Sequence, residues 1–199
     1  MKSKYAFIVI GVVIGLALVF AVWGLAQRNY RFQGSLIDPP IQAADFSLTD
    51  TNGNPFRLSD QKGKIVLVFF GYTHCPDVCP VTLSQFKQIK QQLKNQAEDI
   101  RFVFITVDPQ RDTIEAMRRY VPNFDPQFIG LTGSPEQIEQ VKQSYGVYSE
   151  NNPADEQGNY LVDHTARIYL IDQQGNWRLT YPFGMETGQI VSDLQHLLQ

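Results

Sequence analysis

Cys75 and Cys79 are the only cysteines in 199 residues, and they lie close together in Gly71-Tyr-Thr-His-Cys-Pro-Asp-Val-Cys-Pro80. Closing a loop that short restricts the unfolded chain little, so a bond between them would add little stability. Such a pair is better explained by redox chemistry or by metal binding. Pro80 is tolerated in the first turn of a helix but not deeper. The helix is therefore expected to start at about Cys79, with both sulfurs at its amino terminus. Free N–H groups and the helix dipole stabilise a thiolate there, and a thiolate both attacks disulfides and binds metal. The spacing is C-x-x-x-C, not the C-x-x-C of the thioredoxin-like redox motif. Asp77 in the loop has two readings, a group that tunes the thiolates or meets a partner, and a simple loop cap.

Two thiolates are an incomplete metal site. Soft sulfur ligands select copper(I), zinc or iron–sulfur centres. Structural zinc asks for four protein ligands and iron–sulfur clusters for more cysteines than exist here. Two cysteines and one imidazole suit copper: copper(I), or copper(II) with an added ligand. The only imidazoles are His74, His164 and His196. His164, in Leu161-Val-Asp-His-Thr-Ala-Arg-Ile-Tyr-Leu-Ile171, is expected at the start of a hairpin strand, which would hold its ring rigidly. Asp163 should then point to the opposite face. A lone histidine is nevertheless more often structural than a ligand. His74 reads as a weak ligand or a solvent contact, and His196 as a surface or packing residue of the last helix.

The elements that must position these groups follow from hydrophobic pattern. Lys64–Phe70 is a continuous β-branched and aromatic run, the mark of a strand buried on both faces. Leu83, Phe86, Ile89 and Leu93 form the apolar stripe of the following helix. Ile100–Val107 reads as a second buried strand, and Phe128–Gly130 as a short one between helices at Thr113–Tyr120 and Pro135–Tyr145. Short strands are expected at Asp45–Leu48 and Phe56–Leu58, then at Tyr160–Val162, Ala166–Ile171 and Asn176–Tyr181, with a closing helix over Glu186–Leu198. The order predicts an α/β, thioredoxin-like fold, a central mixed sheet with flanking helices, over residues 43–199.

Residues 1–31 form a different kind of segment. Ala6 to Ala26 carries no charged or strongly polar side chain and is long enough to cross a bilayer as a helix. Its length favours an uncleaved anchor over a signal peptide, whose apolar region is shorter. Residues 32–42 read as a linker, since Gly34 and Pro39–Pro40 argue against regular structure. Residues 1–31 hold four basic groups and no acid, so the remainder keeps 13 basic and 20 acidic residues, a net charge of −7. That balance excludes nucleic acid as a partner.

Three stretches together resemble the Sco (SenC) family: Phe69-Phe-Gly-Tyr-Thr-His-Cys-Pro-Asp-Val-Cys-Pro80, Thr106-Val-Asp-Pro-Gln-Arg-Asp-Thr113, and Val162-Asp-His-Thr-Ala166 with Tyr169-Leu-Ile-Asp172. The resemblance implies copper held by Cys75, Cys79 and His164. It also implies work on the dinuclear copper centre of cytochrome c oxidase, by delivering copper to the copper-receiving subunit or by reducing that subunit's cysteines. The domain would then face the periplasm from the bacterial inner membrane. Asp108, Arg111 and Asp112 of the second stretch read as support for the fold, with Asp108 or Asp112 capping the next helix. The polar stretch Ser149–Gly158 reads as a mobile segment that lets His164 swing. The competing function is a thiol–disulfide oxidoreductase using Cys75 and Cys79 as a redox pair without metal. A peroxiredoxin-like peroxidase is disfavoured, because Tyr72 stands where such enzymes use Thr. A purely structural domain leaves the cysteine pair unexplained.

Overall fold

The computed structural model describes residues 11–23 and 30–199. The chain divides into two units, Met1–Phe32 and Gln33–Gln199. In the first, residues 11–23 are helical, with exposed apolar side chains such as Val12, Phe20 and Trp23. The rest of the apolar run expected over Ala6–Ala26 lies outside the described residues. Among the described residues no helix is long and apolar enough to cross a membrane.

In the second unit the strands are β1 (Ser35–Gln42), β2 (Ser47–Asp50), β3 (Pro55–Arg57), β4 (Ile65–Gly71), β5 (Ile100–Thr106), β6 (Ile129–Thr132), β7 (Ser149–Asn151), β8 (Val162–His164), β9 (Arg167–Ile171) and β10 (Asn176–Pro182). The α-helices are α1 (Val78–Leu93), α2 (Ile114–Tyr120), α3 (Pro135–Ser144) and α4 (Thr187–Leu197). Eight strands make one mixed sheet in the order β1-β10-β9-β4-β5-β6-β2-β3, while β7 and β8 pair only with each other. β4, β5 and β6 run parallel; β9 lies antiparallel to β4 on its other side. Every residue of β4 is buried, as its unbroken apolar run requires.

Successive residues of a strand point to opposite faces, and Phe69 and Phe70 divide the core accordingly. On one face Phe69 packs against Phe104, which meets Tyr120 at the end of α2, while Phe86 of α1 packs on Phe102 and Phe128. On the other, Phe70 meets Tyr145 and Tyr169, and both of those touch Trp177. The thioredoxin-like order expected from the sequence is thus the observed one. Most element ends differ from expectation by a residue or two, where local hydrogen bonding decides.

One expectation is overturned outright. The stretch read as a structureless linker contains β1, an edge strand of the main sheet. Its prolines do not prevent pairing because the ladder skips them. Ser35 and Leu36 pair with Thr180 and Leu179, Ile41 and Gln42 with Trp177 and Asn176, and the register shifts between. A missing N–H costs nothing at an edge irregularity. Gly34 is required just before it, because a Cβ there would lie 2.5 Å from the Tyr181 ring.

The stretch Ser149–Gly158 likewise carries structure, since β7 occupies its start and a tight turn its end. That turn, Asp155–Asn159, repeats the chemistry of Asp50–Asn54 and Asp172–Asn176. In each, the aspartate Oδ1 accepts from the backbone N–H groups two and four residues on, at 2.7–3.0 Å. The fourth residue of each turn is a glycine with φ between +82° and +86°, a backbone that favours glycine.

α4 closes the unit by packing on α1, and it also secures the chain ahead of β1. The wholly buried carboxylate of Asp193 accepts from the N–H of Gln33 and of Gly34 at 3.0 Å. Hydrogen bonds to a buried charge contribute about 1.5–3 kcal/mol, so Asp193→Ala is expected to lower unfolding stability by about that amount. A urea titration checks this; an unchanged midpoint would show that the clamp contributes nothing.

Candidate metal centre

The centre is built where β4 ends. A Cβ on Gly71 would lie 2.7 Å from Cys79 Sγ and 2.7 Å from the Phe104 ring, so only glycine lets the sulfur approach the strand this closely. Val107 N–H donates to Gly71 O at 2.8 Å, fixing the exit from the strand. The chain turns at Tyr72, whose carbonyl accepts from Cys75 N–H at 3.3 Å. α1 then begins at Val78, one residue before the expected start, with Asp77 as its N-cap. The Asp77 side chain makes no capping bond. Its carboxylate is exposed, so of its two readings the simple cap is not the one adopted.

Cys75 is half-buried and Cys79 fully buried, and both are free thiols. Cys79 N–H donates to Cys75 Sγ at 3.4 Å, which is the helix-terminus stabilisation expected for a thiolate. The Cys75 thiol is held far below its ordinary value of 9.0, mainly because the Cys79 thiol donates to it; His164 and the N–H groups of Cys79 and Asp77 add to this against the cost of burial. The Cys79 thiol is pushed up by the same shared proton and by burial. The pair therefore holds one proton, kept on the inner sulfur, and presents a thiolate on the outer one.

His164 arrives at the end of β8. Its Nε2 lies 3.5 Å from Cys79 Sγ, and the two sulfurs and this nitrogen all lie within 4.8 Å of one another. Metal–ligand bonds of about 2.0–2.3 Å place donors of one ion at separations up to about 4.5 Å, so these three atoms suit a single small ion. Nδ1 faces Thr165 O at 3.3 Å; a proton there leaves the Nε2 lone pair turned toward the sulfurs. The edges of Phe69 and Tyr72 meet the imidazole at centroid distances of 6.0 and 5.8 Å. Of the other two imidazoles, neither joins the cluster. His74 Nδ1 is 3.0 Å from Thr73 Oγ1, and His196 sits in the last turn of α4.

His164 was expected to open a strand of the main hairpin. It instead ends a separate two-stranded arm, β7–β8, so other contacts must hold the arm in place. Tyr72 supplies one: its hydroxyl accepts from Val162 N–H at 3.1 Å. The segment after β5 supplies the others. Arg111 donates to Asp108 Oδ2 and to Tyr160 O, and its guanidinium lies 3.5 Å from the Tyr160 ring centroid. Tyr160 OH donates back to Asp108 Oδ1 at 3.0 Å. Asp112, wholly buried, accepts from Thr73 N–H, Thr73 Oγ1 and Thr106 Oγ1, tying the cysteine loop to β5. Burial raises its pKa against those donors. The second sequence stretch therefore supports the site, and it also caps α2, but through Thr113 rather than Asp108 or Asp112. Tyr72, Tyr160 and Gly71 were not singled out as site residues from sequence, because nothing local distinguishes a tyrosine that braces a distant strand.

A buried strand running into a Cys-x-x-x-Cys helix start, met by one histidine on a side arm, defines a thioredoxin-like protein with a two-cysteine, one-histidine donor set. The chain belongs to the SCO1/SenC family, whose sequence profile matches residues 36–199. It is 44% identical over 170 residues to the mitochondrial SCO2 homolog of Bos taurus, covering 84% of this chain and 64% of that protein, so it spans less than two thirds of that relative. It is similar in structure to copper-bound ScoI of Bradyrhizobium japonicum, with TM-score 0.72 and 39% identity over 79% of this chain and 99% of the other. Apo Sco1 of Thermus thermophilus matches with TM-score 0.76 and 39% identity, covering 85% of this chain and 98% of that one.

The asymmetry of the two sulfurs is measurable. In the reduced, metal-free protein, iodoacetamide is expected to label Cys75 and spare Cys79. The rate should stay nearly flat from about pH 5 to 8, because the outer sulfur is already a thiolate there. A rate that rises about tenfold per pH unit through that range would mean an ordinary thiol.

Proposed function

We propose that this chain binds one copper ion through Cys75 Sγ, Cys79 Sγ and His164 Nε2 and passes it to the copper-receiving subunit of cytochrome c oxidase. The observation that carries the reading is the convergence of three soft or borderline donors, from segments 85 residues apart, on one small volume. Copper(I) is satisfied by three such ligands, and copper(II) would take an added one. Similarity to Sco proteins solved with copper bound supports the same metal. Residues 1–31 would tether the domain to the bacterial inner membrane, facing the periplasm, where the oxidase is assembled.

A second reading is favoured by the unequal cysteines. As a thiol–disulfide reductant, Cys75 thiolate would attack a disulfide of the oxidase subunit, forming a mixed disulfide and releasing one thiolate. Cys79 would then lose its proton and attack Cys75 Sγ, forming the Cys75–Cys79 disulfide and releasing the second thiolate. Two electrons pass to the target, and no metal takes part. His164 separates the readings, since a three-ligand copper site needs an imidazole and the exchange does not.

Anaerobic copper(I) titration of the reduced full chain tests this. One equivalent is expected to bind. Replacing Cys75 or Cys79 with Ser should abolish stoichiometric binding. His164→Ala should weaken it by on the order of 100-fold or more, beyond the 10–100-fold typical of losing an outer partner. Disulfide formation should survive in His164→Ala. Equal binding by His164→Ala and the parent would remove His164 from the ligand set.

Tyr72→Phe probes the brace. Without a hydroxyl to accept from Val162 N–H, the His164 arm loses a tie to the cysteine loop. Copper(I) affinity is expected to fall by about 10-fold, while the number of titratable thiols stays the same. An unchanged affinity would show that the arm is held adequately by the Arg111 and Tyr160 contacts alone.

A further inference from the structure

Within Gln33–Gln199, six large hydrophobic side chains are exposed among the described residues. Two of them, Leu36 and Ile41, lie on β1, and the other four frame the metal centre. Val81 is two residues past Cys79 and 50% exposed. Tyr148 is bonded in both directions to Thr165, the neighbour of His164, at 3.0 Å. Leu161 precedes the braced Val162 and lines a groove with His74 and Tyr160. Phe183 N–H donates to Ala166 O at 3.0 Å, two residues past His164. Val81 and Phe183 also line one groove, of about 400 Å³, with Pro80, Ser84 and Met185. Apolar side chains gathered around a site and left in water mark an interaction surface.

The charges around this rim say what covers it. Residues 74–81, 148–166 and 182–187 contain Asp77, Glu150, Asp155, Glu156, Asp163 and Glu186, all exposed, and no lysine or arginine. Nearly the whole excess of negative charge in residues 32–199 thus lies on the segments that carry the metal centre. Of the adjacent cations, Arg111 pairs with Asp108, while Arg167, exposed one residue past the rim, keeps its charge and donates to the neutral Thr180 Oγ1 at 3.2 Å, so the rim remains strongly acidic on balance. Two thiolates and one copper(I) ion would leave a further negative charge at the centre of the rim.

We propose that this rim is a docking surface for a protein whose own copper or thiol site is ringed by lysine and arginine. The apolar side chains supply contact and the acids steer approach, an effect that falls with ionic strength. An anionic membrane surface would be repelled, which keeps the rim open to a protein partner. The proposal rests on the reading that this centre exchanges copper or electrons with another protein.

The test is the association rate of the full chain, reduced and metal-free, with the purified copper-receiving domain of the cytochrome c oxidase subunit from the same source. The rate is expected to fall at least about 10-fold between roughly 10 mM and 1 M salt. A Glu150→Gln, Glu156→Gln, Glu186→Gln variant should lose about 10-fold at low salt and show a flatter salt dependence. Val81→Ser with Phe183→Ser should speed dissociation at every salt concentration. Circular dichroism and copper(I) titration of each variant check that fold and ligand set are intact. A rate that ignores salt or rises with it, a charge variant equal to the parent, or no association at any salt would overturn the docking surface. Because association is read without copper, those failures are distinct from failure of stoichiometric copper binding, which would overturn the metal reading instead.

Discussion

Cys79 Sγ and His164 Nε2 belong to segments 85 residues apart and must be held 3.5 Å from each other; the rest of the fold serves that distance. The antiparallel register of β4 and β9 does the coarse work. It sets Phe69 opposite Ile168, so the end of the strand that leads to the cysteines lies beside the start of the strand that follows His164. The fine work is done by two contacts that no register dictates. Gly71 lets the sulfur settle against the strand end, and the Tyr72 hydroxyl catches the backbone of β8. A side chain at position 71 would force Cys79 or Phe104 to move, and interiors packed at crystal density transmit such shifts rather than absorb them.

The same arrangement explains why the two sulfurs differ. Cys79 sits under the helix start with no exposed surface, so its charged form is disfavoured by burial. Cys75 sits at the mouth, where backbone N–H groups of the first turn and the neighbouring thiol all donate to it. A dithiol that has already given up one proton at neutral pH meets a cation without first having to lose that proton, and it meets a disulfide as a ready nucleophile. Burial raises the pKa of the Tyr120 hydroxyl, and negative charge at the cysteine pair raises it further.

The parts of this design legible in the sequence are those with strong local signals. β4 announces itself as a continuous apolar run, α1 as a 3.6-residue stripe, and the cysteine pair by scarcity and by Pro80. Residue types narrow the third ligand to three imidazoles, and His164 is singled out by its strand position and most of all by the resemblance of Val162-Asp-His-Thr-Ala166 to the Sco family. The rest was illegible for physical reasons. β1 was hidden by two prolines that are harmless only because the ladder shifts around them. The β7–β8 arm is too short and polar to show a period, since Ser149-Glu-Asn151 buries almost nothing. The brace from Tyr72 depends on a backbone N–H 90 residues away, and nothing within a window of sequence encodes that.

Copper binding and disulfide chemistry are usually posed as alternatives for a cysteine pair, yet at this centre they would be exclusive states of the same atoms. A Cys75–Cys79 disulfide has no thiolate to offer a metal, and a metal held by both sulfurs leaves neither free to attack. His164 would be idle in one state and a ligand in the other, and its arm is held by side-chain contacts rather than by the main sheet. That difference in attachment has a consequence. The cysteines are fixed by β4, every residue of which is buried, and by the start of α1, whereas the arm that carries the histidine is tied to the rest of the unit by a few hydrogen bonds. In a copper-loaded centre the third ligand, not the sulfurs, would be the donor with the lighter attachment, and its departure would open the ion to a partner's own donors.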